Sequence, residues 1–180
     1  MNTITNKEAA LLGLLSEKPK HAYEIKLDIE NRSMDYWTEI SQSSIYKLLN
    51  KLEKDDFVIG RIELSDKNVS QKIYSITAQG SALFKDKLKE LVSEWQPTIC
   101  PIDVALKNLN LLDRIEAVEY LEQYKLSLDK AIKGYHDLEE YLNNQNAHLA
   151  NMQLAIRRIY ILKGEREWIE QFIKEYKNEK

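Results

Sequence analysis

The sequence predicts a mainly α-helical chain in two parts: a compact N-terminal domain over residues 1–95 and a helical C-terminal domain over 96–180. Three observations carry this. Apolar residues recur at helical spacing along most of the chain, strict alternation of apolar and polar residues occurs only between Val58 and Thr77, and Pro97 and Pro101 interrupt the helical pattern between the two parts.

The elements follow in order. Ala9-Ala10-Leu11-Leu12-Gly13-Leu14-Leu15 reads as a short buried helix opened by Asn6-Lys7-Glu8 and stopped before Pro19. His21 to Arg32 reads as a second helix, with Ala22, Ile25 and Ile29 at helical spacing. Asn31 to Ile40 is expected to link it to the next helix, with Tyr36 and Trp37 packed beneath that element, and Tyr23 is expected in the core. In the third helix Ser41, Ser43 and Ser44 are alternative N-caps, because a short hydroxyl satisfies free N–H groups of a first turn. Ile45, Leu48, Leu49 and Leu52 then form one apolar face. At roughly 100° per residue the opposite face collects Ser43, Lys47, Asn50 and Lys54, with Tyr46 and Lys51 at its edges.

Ile62 and Leu64 alternate with Arg61 and Glu63, and Tyr74 and Ile76 with Ile73 and Ser75, the pattern of two half-buried strands joined by the polar loop 65–70. Three helices followed by a hairpin is the order of a winged helix-turn-helix, in which the third helix enters the major groove and the hairpin touches adjacent backbone. Thr77 caps a fourth helix, with Phe84, Leu88, Leu91 and Trp95 at helical spacing.

Beyond the prolines, Asp113 and Glu116 can form a capping box for a long helix. Ala117, Leu121, Tyr124, Leu128, Ala131, Tyr135, Leu138 and Leu142 alternate spacings of 4 and 3, a coiled-coil-like seam. Asn143-Asn144-Gln145-Asn146 is a turn, and Leu149, Met152, Ile156 and Ile159 resume the stripe on a returning helix with a kink or break at Gly164. The seam either folds back on its own chain or is buried against a second copy, and a two-fold homodimer through Leu121, Tyr124, Leu128, Tyr135, Leu138, Leu142, Ile156 and Ile159 is the preferred reading.

Composition bounds the function. The longest apolar run, Ala9 to Leu15, is far short of the roughly 20 residues that span a bilayer, and no basic segment precedes an apolar block as in a signal peptide. A single cysteine, Cys100, excludes an internal disulfide and suits a reducing cytosol, so a cytoplasmic location without a membrane is expected. His21, His136 and His148 are too dispersed for a metal site, and neither a glycine-rich phosphate loop nor a nucleophile elbow is present, so no enzyme, cofactor or metal is expected. The net charge is −3, and residues 1–95 carry 14 Lys and Arg against 15 Asp and Glu. Any nucleic-acid argument therefore rests on where the charges sit.

Over Leu11-Leu12-Gly13-Leu14-Leu15, His21-Ala22-Tyr23-Glu24-Ile25, Ser44-Ile45-Tyr46-Lys47-Leu48-Leu49-Asn50-Lys51-Leu52-Glu53 and Tyr74-Ser75-Ile76-Thr77-Ala78-Gln79-Gly80, the chain resembles the PadR-type family, regulators named after the phenolic-acid-decarboxylase repressor. The match runs across roughly residues 7–84, and the long tail ending near Trp168 is similar to the longer members. It departs where Ala22 replaces a usual glycine and Asp56-Phe57 a usual Gly-Leu pair, which puts the turn into the wing in question. The resemblance implies a dimer on double-stranded DNA with a near-palindromic operator, usually a repressor, released by a small and often aromatic effector.

The candidate DNA contacts are Ser43, Ser44, Tyr46, Lys47, Asn50, Lys51 and Lys54 on the third helix and Arg61, Lys67, Asn68, Ser70 and Lys72 on the wing, since amides read base edges and lysines reach phosphate. The polar helix face is equally readable as a solvated surface, and Tyr46 as a core support. Trp95, Tyr120, Tyr124, Tyr135, His136, Tyr160 and Trp168 can frame an effector pocket or simply be core. The alternative function is a winged-helix protein-interaction module without specific DNA binding.

Overall fold

The computed structural model describes residues 3–32, 34–38, 40–64 and 70–179. The chain divides into two compact units, Met1–Thr98 and Ile99–Lys180. The described part is mainly helical with one small antiparallel sheet, a winged-helix fold followed by a helical region.

The first unit starts with α1, Asn6–Glu17, whose N-terminus is a reciprocal capping box: the Thr5 hydroxyl accepts from the Glu8 N–H at 3.3 Å, and the Thr5 N–H donates to Glu8 Oε2 at 2.8 Å. A two-residue strand β1, Lys20–His21, precedes α2, Ala22–Asn31, and α3 is a single turn, Asp35–Thr38. Then come α4, Gln42–Lys54, strands β2, Val58–Leu64, and β3, Ser70–Ile76, and α5, Ala78–Ser93. The sheet order is β1-β3-β2, with β2 and β3 in register from Val58 opposite Ile76 to Leu64 opposite Ser70, and Lys20 of β1 opposite Tyr74. One apolar core joins these elements. Leu11, Leu12, Ile25, Leu49 and Leu52 are completely enclosed, and Phe57, Val58 and Tyr74 carry the core onto the root of the sheet.

Several expectations are corrected. β1 is an additional strand, because two extended residues before α2 find free ladder positions on β3. The expected link from 31 to 40 contains α3. Trp37 stays half exposed rather than packed under α4, and Tyr23 points outward, since its position on α2 lies off the stripe Ala22, Ile25 and Ile29 that meets the core; the side chain of Tyr36 lies outside the described residues. On the hairpin only the root is half-buried. Ile62 and Leu64 are 76% and 70% exposed, because the strands run past the helices that cover Val58 and Tyr74.

The turn from α4 into β2 explains how the chain tolerates Asp56. Phe57 N–H donates to the Leu52 carbonyl at 2.9 Å and Asp56 N–H to that of Glu53 at 3.1 Å, a Schellman closure with Asp56 at φ 60°. Aspartate is among the few non-glycine residues that enter this left-handed region readily. The start of α5 docks on the same turn: the Thr77 hydroxyl accepts from Gly80 N–H at 3.0 Å and donates to the Asp56 carbonyl at 2.8 Å. A Cβ on Gly80 would sit 2.1 Å from the Phe57 carbonyl oxygen, so this position demands glycine.

The second unit contains α6, Ile102–Lys107, a short 3₁₀ turn, and two long helices, α7, Arg114–Asn144, and α8, Leu149–Asn178. The Asp113 side chain accepts from Glu116 N–H at 2.9 Å and so caps α7. A second Schellman closure ends it, with Asn146 at φ 51° and Ala147 N–H bonded to the Leu142 carbonyl at 3.0 Å. The expected break at Gly164 is absent: α8 runs straight through it, since a glycine inside a helix costs about 1 kcal/mol and packing on α7 outweighs that. The two helices lie antiparallel, tied by Arg166 to Asp129 at 2.6 Å, Lys177 to Glu122 at 3.0 Å and the Tyr124 hydroxyl donating to Glu165 at 3.1 Å.

Candidate nucleic-acid interface

Helix α4 is sorted by its own sequence into two sides. Ile45, Leu49 and Leu52 are buried in the core and Leu48 is half-buried. Ser43, Tyr46, Lys47, Asn50 and Lys54 are exposed. Spacings of three and four residues place these polar side chains on one strip of the helix surface. Ser41 is the N-cap, yet its hydroxyl makes no capping bond; it pairs with Ser43 Oγ at 3.1 Å, and half-buried Ser44 donates to the Ser41 carbonyl at 2.6 Å. The first turn of α4 therefore has no side-chain cap from Ser41, while the Ser44 N–H donates to the Ser41 carbonyl at 3.0 Å.

The cations divide into two groups. Among the described residues, Lys47, Lys54 and Arg61 form no ion pair, whereas Lys51 and Lys72 are engaged. Lys51 Nζ lies 2.6 Å from Oε1 of Glu8, a carboxylate that is only 1% exposed on the first turn of α1. Burial pushes the Glu8 carboxyl up, but the hydrogen bonds from Lys51 and Thr5 outweigh it and hold the group below its ordinary range. Lys72 Nζ lies 2.6 Å from Glu53 Oε2 and 5.3 Å from the centre of the Tyr74 ring, and the Gly60 N–H donates to Glu53 Oε1 at 3.2 Å. In both lysines the hydrogen bond to the carboxylate raises the pKa, so the ammonium form is held. Sequence reasoning placed Lys51 and Lys72 with the free cations because it missed Glu8 and Glu53. The spacing of Thr5 and Glu8 announces a capping box, but nothing local announces the partner of its second oxygen. Ser70 is exposed at the start of β3, while Lys67 and Asn68 lie outside the described residues.

The helical seam of the second unit is largely satisfied within the chain. Leu121 and Leu128 pack with Ile169 and Ile173 in one cluster, and Ile159 is buried as well. Leu121, Leu128 and Ile159 are therefore already buried within the chain, on α7 and α8. Tyr124, Tyr135, Leu142 and Ile156 are half-buried, and Leu138 is exposed.

The expected effector residues differ in exposure. Trp95 is 84% exposed at the end of the first unit. In the second unit Tyr120 and Tyr160 are exposed, and His136 is exposed beside Glu139 at 3.2 Å. Burial and the hydrogen bond to Glu165 raise the Tyr124 phenol to about 12, as expected of a packed tyrosine. Trp168 stacks on Phe172 at 5.8 Å beside a shallow depression lined by Gly164, Glu167 and Lys174. A larger open cleft, of about 720 Å³, lies in the first unit between the start of α1, α3 and α4, lined by Thr5, Glu8, Trp37, Leu48 and Lys51. Among the described residues no cluster of His, Cys, Asp and Glu is arranged to hold a metal ion, and no helix is long and apolar enough to cross a membrane.

Residues 11–86, from the middle of α1 through the wing into α5, match the model of the Transcriptional regulator PadR-like family. Over these residues the chain is similar to that family. An uncharacterised protein of Lysinibacillus sphaericus is 29% identical over 102 residues, spanning 57% of this chain and 89% of its own length. Among solved structures, Bacillus subtilis PadR in complex with operator DNA has a TM-score of 0.73 at 19% identity, covering 94% of this chain and 98% of that one. The same protein with p-coumaric acid gives 0.71 at 18% identity, covering 96% and 99%. The Vibrio cholerae virulence activator AphA gives 0.71 at 17% identity, covering 96% and 98%. At such identities the likeness is one of fold. The PadR-like match includes Asp56 and Gly80, so both sides of the Schellman turn fall inside the matched residues.

Proposed function

We propose that the chain is a DNA-binding transcriptional regulator, acting as a cytoplasmic homodimer that represses nearby genes and is released by a small aromatic effector. The observation that carries the DNA reading is the two-sidedness of α4: a leucine-rich face locked into the core beneath an exposed strip of Ser43, Tyr46, Lys47, Asn50 and Lys54. Such a strip offers an amide for adenine, cations for phosphate or guanine, and hydroxyls for either. Arg61 and Ser70 extend it onto the wing, with Lys67 and Asn68 proposed to reach the backbone from the wing's tip. Operator DNA in the similar PadR structure supports this reading, and p-coumaric acid in the other supports an aromatic acid as the class of effector.

In this proposal residues 1–95 bind DNA, and residues 96–180 carry dimerisation and the effector response. The dimer would use what the α7–α8 pairing leaves uncovered, Leu138 with Tyr135, Leu142 and Ile156, and Trp95, Tyr120, Tyr124, His136, Tyr160 and Trp168 remain the candidate effector residues.

Genomic fragments retained by the full chain define the test duplex. Lys47→Ala with Lys54→Ala should weaken its retention and flatten the dependence of log affinity on log salt by about 2. An unchanged slope would remove α4 from the interface. Exposed Ile62 and Leu64 favour one second reading, a wing that docks on protein. In that case no duplex is selectively retained at ~0.1 M salt, and Ile62→Ser with Leu64→Ser abolishes capture of a defined partner.

A further inference from the structure

The first unit is slightly acidic, and two of its interface lysines are each matched by a carboxylate that belongs to the fold. We infer that Glu8 and Glu53 are positioning residues that withdraw Lys51 and Lys72 from the DNA and use them as struts, so that Lys47, Lys54 and Arg61 alone carry the phosphate charge of the described interface. This rests on the DNA-binding reading above and deepens it.

The geometry gives the reason. An apolar face fixes the depth of a helix against its core and which side faces outward, but it is poorly directional and constrains fine rotation and sliding along the axis less. Directional contacts must do that. Glu8 divides its two oxygens between these tasks: Oε2 accepts from the Thr5 N–H and hydroxyl and closes the cap of α1, while Oε1 takes Lys51 of α4 at 2.6 Å. Because the carboxylate is enclosed and already anchored by the cap, it is the fixed end and Lys51 the tethered one. Glu53, two residues further along the same last turn of α4 and so on a different side of the helix, repeats the arrangement, accepting from the Gly60 N–H and from Lys72, so that the wing is referenced to the same helix. Gly60 leaves room for this pair: a Cβ there would sit 2.2 Å from Lys72 Cε and 2.6 Å from Glu53 Oε1, so both side-chain ends would have to shift. The site therefore holds two struts, α1 to α4 and α4 to β3, flanking a strip whose remaining cations are unpaired among the described residues. A lysine whose charge is already neutralised by a fixed carboxylate releases few counterions on meeting a phosphate.

The test compares neutral pairs with free cations in the full-length chain, using the genome-selected duplex and a scrambled duplex across a salt series, with thermal unfolding run on every variant. Glu8→Gln combined with Lys51→Gln keeps a hydrogen-bonding pair and should leave the salt slope as in the parent, while lowering the ratio of selected to scrambled affinity by about fivefold. Glu8→Gln alone frees Lys51 and should steepen the slope by up to about 0.9, with the same loss of ratio. Lys47→Ala serves as reference and should flatten the slope by about 0.9. A fall of about 0.9 in the doubly substituted protein would mean that Lys51 meets phosphate, and an unchanged affinity ratio would mean that the strut positions nothing; either overturns the inference while the parent still binds. Lack of selective binding by the parent itself is the separate result that sinks the underlying function.

Discussion

The two units bury their apolar residues in different ways. In Met1–Thr98 the core runs without interruption from Ile4 through Leu11, Ile25, Leu49 and Val58 to Tyr74, drawing on helices and sheet together. In Ile99–Lys180 the cluster is small, centred on Leu121, Leu128, Ile169 and Ile173, because two antiparallel helices cover only one stripe of each other. Val104, Leu111, Ile115, Leu126, Tyr141, Leu149, Leu154 and Tyr160 stay exposed there. A unit with one continuous core of buried residues folds from its own contacts, even with Ile62, Leu64 and Trp95 left outside. A two-layer hairpin with large apolar residues outside is a surface waiting for a neighbour, and this contrast, more than the heptad pattern, motivates the proposed homodimer.

The sharpest way to break that contrast is a matched pair of truncations. Leu49→Ala, in the enclosed core, should cost roughly 3 kcal/mol by urea unfolding and be independent of protein concentration. Leu128→Ala should lower a transition whose midpoint rises with protein concentration, as expected if association stabilises the second unit. A concentration-independent loss of equal size would make the hairpin as self-sufficient as the first unit. Gly80→Ala follows, at about 2 kcal/mol, because the added methyl meets a backbone oxygen that cannot rotate away; a neutral outcome would show that the α5 start can slide off the Schellman turn.

Smaller effects sharpen the picture of the first unit. The Arg32 guanidinium, with help from Lys20, holds the Glu17 carboxyl at about 2 against an ordinary 4.5. A depressed carboxylate stabilises the fold above its unfolded pKa and loses that contribution as pH falls toward the folded value. Acid unfolding of the first unit between about pH 4.5 and 2 should therefore soften in Glu17→Gln, the parent and variant converging at the acid end. The group is partly solvated, so the difference at neutral pH should stay under about 1 kcal/mol. Asp56→Gly should be the mildest change, neutral or stabilising by up to about 1 kcal/mol, because it relieves the left-handed backbone at φ 60° but loosens the unfolded chain. A loss of stability there would point to a role for the aspartate side chain.

Where a residue's role depends on neighbours three or four positions away, the sequence alone determined it. The buried face of α4, its exposed strip of Ser43, Lys47, Asn50 and Lys54, the caps at Thr77 and Asp113 and the turn at Asn146 are all of this kind, because helical periodicity and capping are local physics. Pairings across long stretches of chain were decided only by the tertiary structure. Lys51 meets Glu8 across 43 residues and Lys72 meets Glu53 across 19, β1 borrows free ladder positions on β3, and α8 takes Leu121 and Leu128 for itself. A lysine carries the same charge in any sequence window. Whether that charge is offered to a ligand or spent on a carboxylate depends on which distant backbone folds against it, and no periodicity encodes that choice.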